Sequence, residues 1–179
     1  DLGPVVTREA KNRILGLIDS GVTQGADLKV DGRDFKLQGY ENGFFVGACL
    51  FDNVTTEMDI YKQEIFGPVL STVRAKNYEE ALSIVVNNEY GNGTAIFTRD
   101  GDTARDFSNR INVGMVGVNV PIPVPLAYHT FGGWKKSAFG DLNQHGPDAF
   151  RFYTRTKTIT SRWPTGIKEG ASFSIPTME

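Results

Sequence analysis

The chain has 179 residues and a formal net charge of −2; its length suits one domain with a substantial core, and its charge argues against a nucleic-acid footprint. No apolar run is long enough to cross a bilayer, and no secretory leader opens the chain. One cysteine, Cys49, excludes an internal disulfide framework and fits a reducing compartment, and one Cys with two widely spaced His residues gives no metal-ligand pattern. The first residue is Asp1 rather than Met, which reads as a fragment or a processed product.

Thr7 is a candidate cap for a first helix, with Ala10, Ile14, Leu17 and Ile18 at helical spacing and Gly21 as its stop. Residues 25–43, rich in Gly, Asp and Asn, read as a surface excursion of hairpins with a short strand over 28–30. Residues 44–51 are almost continuously apolar and predict a strand buried on both faces. Cys49 lies within it among apolar neighbours, with no His or cation nearby in sequence to stabilise a thiolate. It is expected to be packed and inert.

Glu64-Ile65-Phe66-Gly67-Pro68 follows. Pro68 fixes its own φ and biases Gly67 towards an extended backbone. In an extended segment residues i and i+2 point the same way, so Glu64 and Phe66 can reach one ligand together. An ionised carboxylate offers acceptors to a pair of sugar hydroxyls, and a ring beside it suits a flat heterocycle. That is a seat for a ribose with its base. The alternative is a surface Glu and a core Phe at a strand entry.

A regular alternation comes next. Residues 69–73 predict a strand, and Asn77 with Glu80 forms a capping-box variant. Tyr78, Ala81, Leu82 and Val85 form a helical stripe, and 87–92 is a turn cluster. Residues 94–98 predict a strand, Ala104, Phe107 and Ile111 one face of a helix, and 113–120 a third strand. Strands alternating with helices over short connections predict an α/β fold, a parallel open sheet with flanking helices.

Pro121, Pro123 and Pro125 then alternate with Ile122, Val124 and Leu126, in a segment that cannot donate a regular ladder. In Phe131-Gly132-Gly133-Trp134 the paired glycines permit a close backbone approach to another segment or to a ligand. Lys135 and Lys136 read as solvated. Residues 141–148 are turn-rich. Residues 150–161 alternate strictly and predict one long strand of about 40 Å, suited to pairing with a second subunit or to bending at a bulge. From 164 onward little pattern remains. The organisation expected is therefore an α/β domain over 1–149, an oligomerisation strand over 150–163 and a tail over 164–179.

The ordered motifs Glu64-Ile-Phe-Gly-Pro, Phe131-Gly-Gly-Trp-Lys-Lys-Ser137 and Tyr153-Thr-Arg-Thr-Lys-Thr-Ile159 resemble the C-terminal third of the NAD-dependent aldehyde dehydrogenases. The ladder Val118-Asn-Val-Pro-Ile-Pro-Val-Pro125 resembles the branch that converts malonate or methylmalonate semialdehyde to an acyl-CoA. The resemblance implies NAD as cofactor and coenzyme A as co-substrate. In such a reaction a Cys thiolate attacks the aldehyde, hydride is transferred, and the thioester passes to CoA with loss of the substrate carboxylate as carbon dioxide or bicarbonate. It further implies that Glu64 accepts the nicotinamide ribose hydroxyls, that Phe66 packs near the nicotinamide and that Phe131 walls the catalytic tunnel. The strand over 150–161 would join subunits into a homo-oligomer, in the cytoplasm or the mitochondrial matrix.

Thr130 and Phe139-Gly140-Asp141 depart from the wider family, which often has Pro before Phe-Gly-Gly and a Gly-x-Gly-Arg-Glu run. Cys49 does not match the nucleophile position. The family's nucleophile, general base, oxyanion Asn and phosphate-binding segment have no counterpart here, so the chain alone is expected to be inactive. The competing expectations are a non-catalytic interaction module built on the long strand and proline segment, and an RNA face of Arg151, Phe152, Tyr153, Arg155 and Lys157. Glu64 enters its strand from the end opposite the usual ligand crevice of parallel sheets, so the segment from Pro121 to Phe131 must travel back to meet it.

Overall fold

The structure is a computed structural model that describes residues 2–163. The first helix, α1 (Arg8–Thr23), is capped by the Thr7 hydroxyl, which accepts the amide of Ala10 at 3.1 Å. Its stripe of Ile14, Leu17 and Ile18 is buried. Gly21 does not stop it. The helix continues to Thr23, and the left-handed turn comes at Gly25, φ +93°. Gly21 is instead a contact position, because a Cβ there would lie 2.8 Å from Ile60 Cδ1. It lets α2 (Asp59–Lys62) approach α1 closely.

Strands β1 (Asp27–Val30), β2 (Cys49–Asp52) and β3 (Val69–Ser71) form one sheet in that order, antiparallel then parallel, with a register shift between Leu28 and Val30. The strand expected over 44–51 begins only at Cys49. Upstream of it Gly47 crosses Gly32 closely, its amide donating to the Gly32 carbonyl at 2.9 Å, so these residues leave the ladder. Phe51, Ile14 and Ile18 are fully buried beneath this sheet, each worth about 1.5–3 kcal/mol in transfer from water.

Helix α3 (Tyr78–Asn87) starts at Asn77, whose side chain accepts the Glu80 amide at 2.9 Å; Glu80 reaches back to the Lys76 amide at 2.6 Å. A short β4 (Tyr90–Gly91) leads into β5 (Gly93–Ile96), α4 (Gly101–Arg110) and β6 (Met115–Val118), with β5 and β6 parallel. The third strand ends early because Asn119 turns at φ +57° and brackets Thr98 with its amide side chain. Leu82, Phe107, Ile111 and Val113 make a second core. The α/β class is thus realised, but as two separate parallel pairs, since β3 and β5 are not hydrogen-bonded to each other.

Residues 121–126 carry no strand, as the prolines require. The chain returns through β7 (Trp134–Lys135), which pairs antiparallel with β4. The expected long strand is not formed. Residues 146–148 are a 3-10 turn and α5 (Ala149–Tyr153) is helical, with the Thr154 hydroxyl bonded to the Phe150 carbonyl. Pro147 sets the helical φ that starts this turn. The alternation of Phe and Thr has no strand edge to satisfy it among the described residues. Residues 154–163 contain neither helix nor strand. The basic-aromatic face expected over 151–157 is broken by the same helix. The tail expected over 164–179 lies outside the described residues.

Candidate functional site

A cleft of about 1010 Å³ opens where the two halves of the fold meet. Tyr61, Gln63 and Glu64 line one side; Ser83, Ile84 and Asn88 of the α3 region, with Lys136 and Ser137, line the other. Glu64, Tyr90 and Asn92 precede β3 and β5 in the chain. The cleft therefore lies by the entering ends of these strands, and the return of the chain after Pro121 brings Lys136 and Ser137 to it.

Glu64 is exposed at this cleft, and its carboxylate has no hydrogen bond or ion pair among the described residues. Its backbone is held firmly. Arg13 of α1 donates from Nη1 to the Glu64 carbonyl at 3.1 Å and from Nη2 to the Ile65 carbonyl at 2.7 Å. Ile65 is buried in the first core. Val69 donates to the Gly67 carbonyl at 2.8 Å, closing a three-residue turn around Pro68.

The segment is stiff but not simply extended. Phe66 sits at φ +51°, in the left-handed region, where a bulky residue costs about 1–2 kcal/mol. Glu64 and Phe66 are therefore not related by the i, i+2 rule of a strand. Phe66 is 75% exposed, so it is not the core Phe of the alternative, a role taken by Ile65.

Phe131 lies apart from the cleft lining and stacks on His145, with ring centroids 4.1 Å apart at 22°. The paired glycines beside it serve packing. A Cβ on Gly132 would collide with the Asn143 side chain, and one on Gly133 would lie 2.6 Å from Ser137 Cβ. The two lysines are engaged rather than free. Lys135 Nζ donates to the carbonyls of Val86 and Asn88, at 2.8 and 2.9 Å, capping the end of α3, and Lys136 pairs with Glu89. Cys49 is 3% exposed, and its Sγ accepts the Gly32 amide at 3.2 Å. It is packed, as its neighbours predict. No group of three or more His, Cys, Asp or Glu residues suited to a metal occurs among the described residues.

Arg13 was not evident as a site residue from sequence. It lies 51 residues from Glu64, and the only local signal is a cation next to the buried stripe of α1.

An exposed, unpaired carboxylate on an immobilised backbone at a cleft fits a neutral polyhydroxyl ligand such as a nucleotide ribose. Comparison with known proteins identifies relatives of this chain. A family model described as the aldehyde dehydrogenase family matches residues 1–159. Malonate-semialdehyde dehydrogenase of Pseudomonas aeruginosa is 60% identical over 179 residues, covering 99% of this chain and 36% of that protein. The mitochondrial acylating methylmalonate-semialdehyde/malonate-semialdehyde dehydrogenase of Bos taurus is 52% identical over 176 residues, 98% of this chain and 32% of that protein. A solved structure assigned as methylmalonate-semialdehyde dehydrogenase from Sinorhizobium meliloti 1021, complexed with NAD, superposes with a TM-score of 0.87 at 76% identity, covering 94% of this chain and 34% of that one. The chain thus spans about a third of the length of these relatives.

Proposed function

Because this chain belongs to the aldehyde dehydrogenase family, we propose that it supplies the nicotinamide side of the active site of an NAD-dependent, CoA-acylating malonate or methylmalonate semialdehyde dehydrogenase. Glu64 is the residue that carries the role. Its carboxylate accepts two hydrogen bonds from the vicinal hydroxyls of the nicotinamide ribose. The observation behind this is the carboxylate at the cleft, unpartnered among the described residues, on a backbone clamped by Arg13, Ile65 and Pro68. A clamped acceptor loses little freedom on binding, so more of each hydrogen bond appears as affinity.

Phe66, exposed beside the acid, offers its ring to the nicotinamide side of the same ligand. Phe131, braced by His145, is proposed as a wall of the substrate tunnel. When bound, NAD takes up the hydride released from the aldehyde carbon. The thiolate that this chemistry needs is not Cys49, which is buried and has an apolar setting. It belongs to polypeptide beyond this chain, as do the groups that hold the adenine and phosphates. Residues 154–161 keep an alternating sequence without a partner strand among the described residues and are proposed to pair with a second subunit in a homo-oligomer. A lone buried cysteine accords with a reducing compartment, and no described helix is long and apolar enough to cross a membrane.

The test is Glu64→Gln in the full-length enzyme. The amide replaces one acceptor with a donor and removes the charge. NAD affinity should fall about tenfold, the loss of one charge-assisted hydrogen bond, with slower hydride transfer in a single turnover. Unchanged NAD affinity and an unchanged hydride-transfer rate would remove Glu64 from the site.

A further inference from the structure

We propose that Arg13 is a positioning residue for the ribose seat: its guanidinium holds the Glu64-Ile65 backbone so that the Glu64 carboxylate is presented in one orientation. This rests on the assignment of Glu64 as the ribose acceptor. Three features of the bend support it together.

The first is where its hydrogen bonds go. Arg13 has no ion pair among the described residues; its fork is spent on two consecutive carbonyls, those of Glu64 and Ile65. Neither carbonyl accepts a backbone amide among the described residues, so Arg13 replaces the ladder that a strand would have provided. A planar fork with parallel N–H bonds matches two adjacent acceptors, whereas a lysine ammonium holds one well.

The second is the strain next door. Phe66 at φ +51° follows directly on the clamped pair. A left-handed bulky residue persists where its surroundings over-determine it. Here Ile65 is anchored in the core on one side, and Gly67 is pressed against Ile14 on the other, where a Cβ would meet Ile14 Cδ1 at 2.7 Å. Arg13 and Ile14 are consecutive on α1, so one helix sets both ends of the bend.

The third is exposure. Arg13 and Glu64 are both exposed. If Arg13 is lost, water can replace it at the exposed Glu64 carbonyl, so the cost to folding is confined to the part-buried bond at Ile65. What is lost is the fixed direction of an acid that touches the ligand. That separates a positioning role, felt in affinity, from a structural one, felt in stability.

The experiment uses the full-length enzyme with Arg13→Gln, Arg13→Lys, Glu64→Gln and the Arg13→Gln/Glu64→Gln pair. NAD dissociation constants, single-turnover hydride transfer and Tm are measured for each. Arg13→Gln should weaken NAD about three- to tenfold while Tm moves by less than about 2 °C. Arg13→Lys should be intermediate, and the double variant should bind no worse than Glu64→Gln alone, because both act through one carboxylate. Wild-type NAD affinity in Arg13→Gln, with Glu64→Gln impaired, overturns the role of Arg13 and leaves that of Glu64 standing. So does strict additivity in the double variant. An unimpaired Glu64→Gln overturns both. If Arg13→Gln does not fold, Arg13→Lys decides: an intermediate affinity supports the proposal and a wild-type affinity overturns it.

Discussion

A Cβ placed on Gly67 would lie 2.7 Å from Cδ1 of Ile14 and 3.0 Å from its Cγ1. Ile14 is fully buried and cannot retreat. Gly67→Ala should therefore cost about 1–3 kcal/mol by overpacking. Adding Ile14→Val, which removes the Cδ1 atom, should recover part of that loss, although Ile14→Val alone costs about 0.5–1.5 kcal/mol. Thermal melts of the four proteins check this. Additive losses would mean that the two residues do not press on each other.

Phe66 tests the bend from the other side. Its φ of +51° suits glycine, and its ring is mostly exposed. Phe66→Gly should leave Tm unchanged or raise it, because relief of about 1–2 kcal/mol of strain offsets the entropy that glycine adds to the unfolded chain. NAD binding by the full-length enzyme should nevertheless weaken, with the ring gone and the bend loosened. A stable variant with full NAD affinity would show that the ring does not serve the ligand.

The α3–α4 contact predicts a pH dependence. Arg110 forks onto Glu79 at 2.8 and 2.6 Å and also reaches Asp106 at 3.0 Å; the Tyr78 hydroxyl donates to Asp106 at 2.8 Å. The Arg110 guanidinium holds Glu79 below the ordinary carboxylate range, and the Tyr78 hydroxyl, with Arg110 behind it, does the same for Asp106. A depressed carboxylate stabilises the fold above its unfolded pKa, about 4. That contribution is lost as the pH falls through the lower folded value. Arg110→Gln should lower Tm slightly at pH 7, and its curve should converge with wild type as the pH falls from about 4 downward. A constant offset down to pH 2 would point to packing instead.

By itself the 179-residue chain should form no NADH from semialdehyde, NAD and CoA. Its one thiol, Cys49, should react with a disulfide reagent only after denaturation. Turnover by the chain alone, or rapid native labelling of Cys49, would contradict the placement of the nucleophile elsewhere.

The proline segment turns Pro123 and Pro125 inward and leaves Ile122, Val124, Leu126 and Tyr128 each more than half exposed. An apolar row of this kind favours association. Light scattering should give the isolated chain a mass above its 19.7 kDa, and Ile122→Ser with Leu126→Ser should shift it towards monomer. A strictly monomeric wild-type chain would show that this row is not sticky.

Local signals were legible in the sequence where a single residue type does the physical work. Thr7 and Asn77 cap helices with their own side-chain oxygens. The burial of Cys49 was legible from its apolar neighbours alone. Gly21 differs from its expected role because a glycine inside a helix and one ending it look alike until a partner is placed; the partner is Ile60, 39 positions on. Residues 150–153 alternate like a strand but sit behind Pro147 in a helical turn, and a period of two decides nothing without an edge to pair with. The acid of the candidate site was visible as part of a stiff motif. Its clamp was not, because Arg13 meets it only through tertiary folding, and Phe66 is not a residue type that advertises a positive φ.

The division of the apolar interior into two centres, one under β1–β2–β3 and one between α3, α4 and the second parallel pair, has a dynamic consequence. Across the line between them, Tyr61 makes two long hydrogen bonds of 3.4 Å, donating to Ile84 and accepting from Asn88. Bonds at that length are weak, so each centre can open with its own free energy. Because the cleft straddles this line, a molecule bound there would fasten two independently breathing halves, and amide exchange on both sides should slow together when it binds.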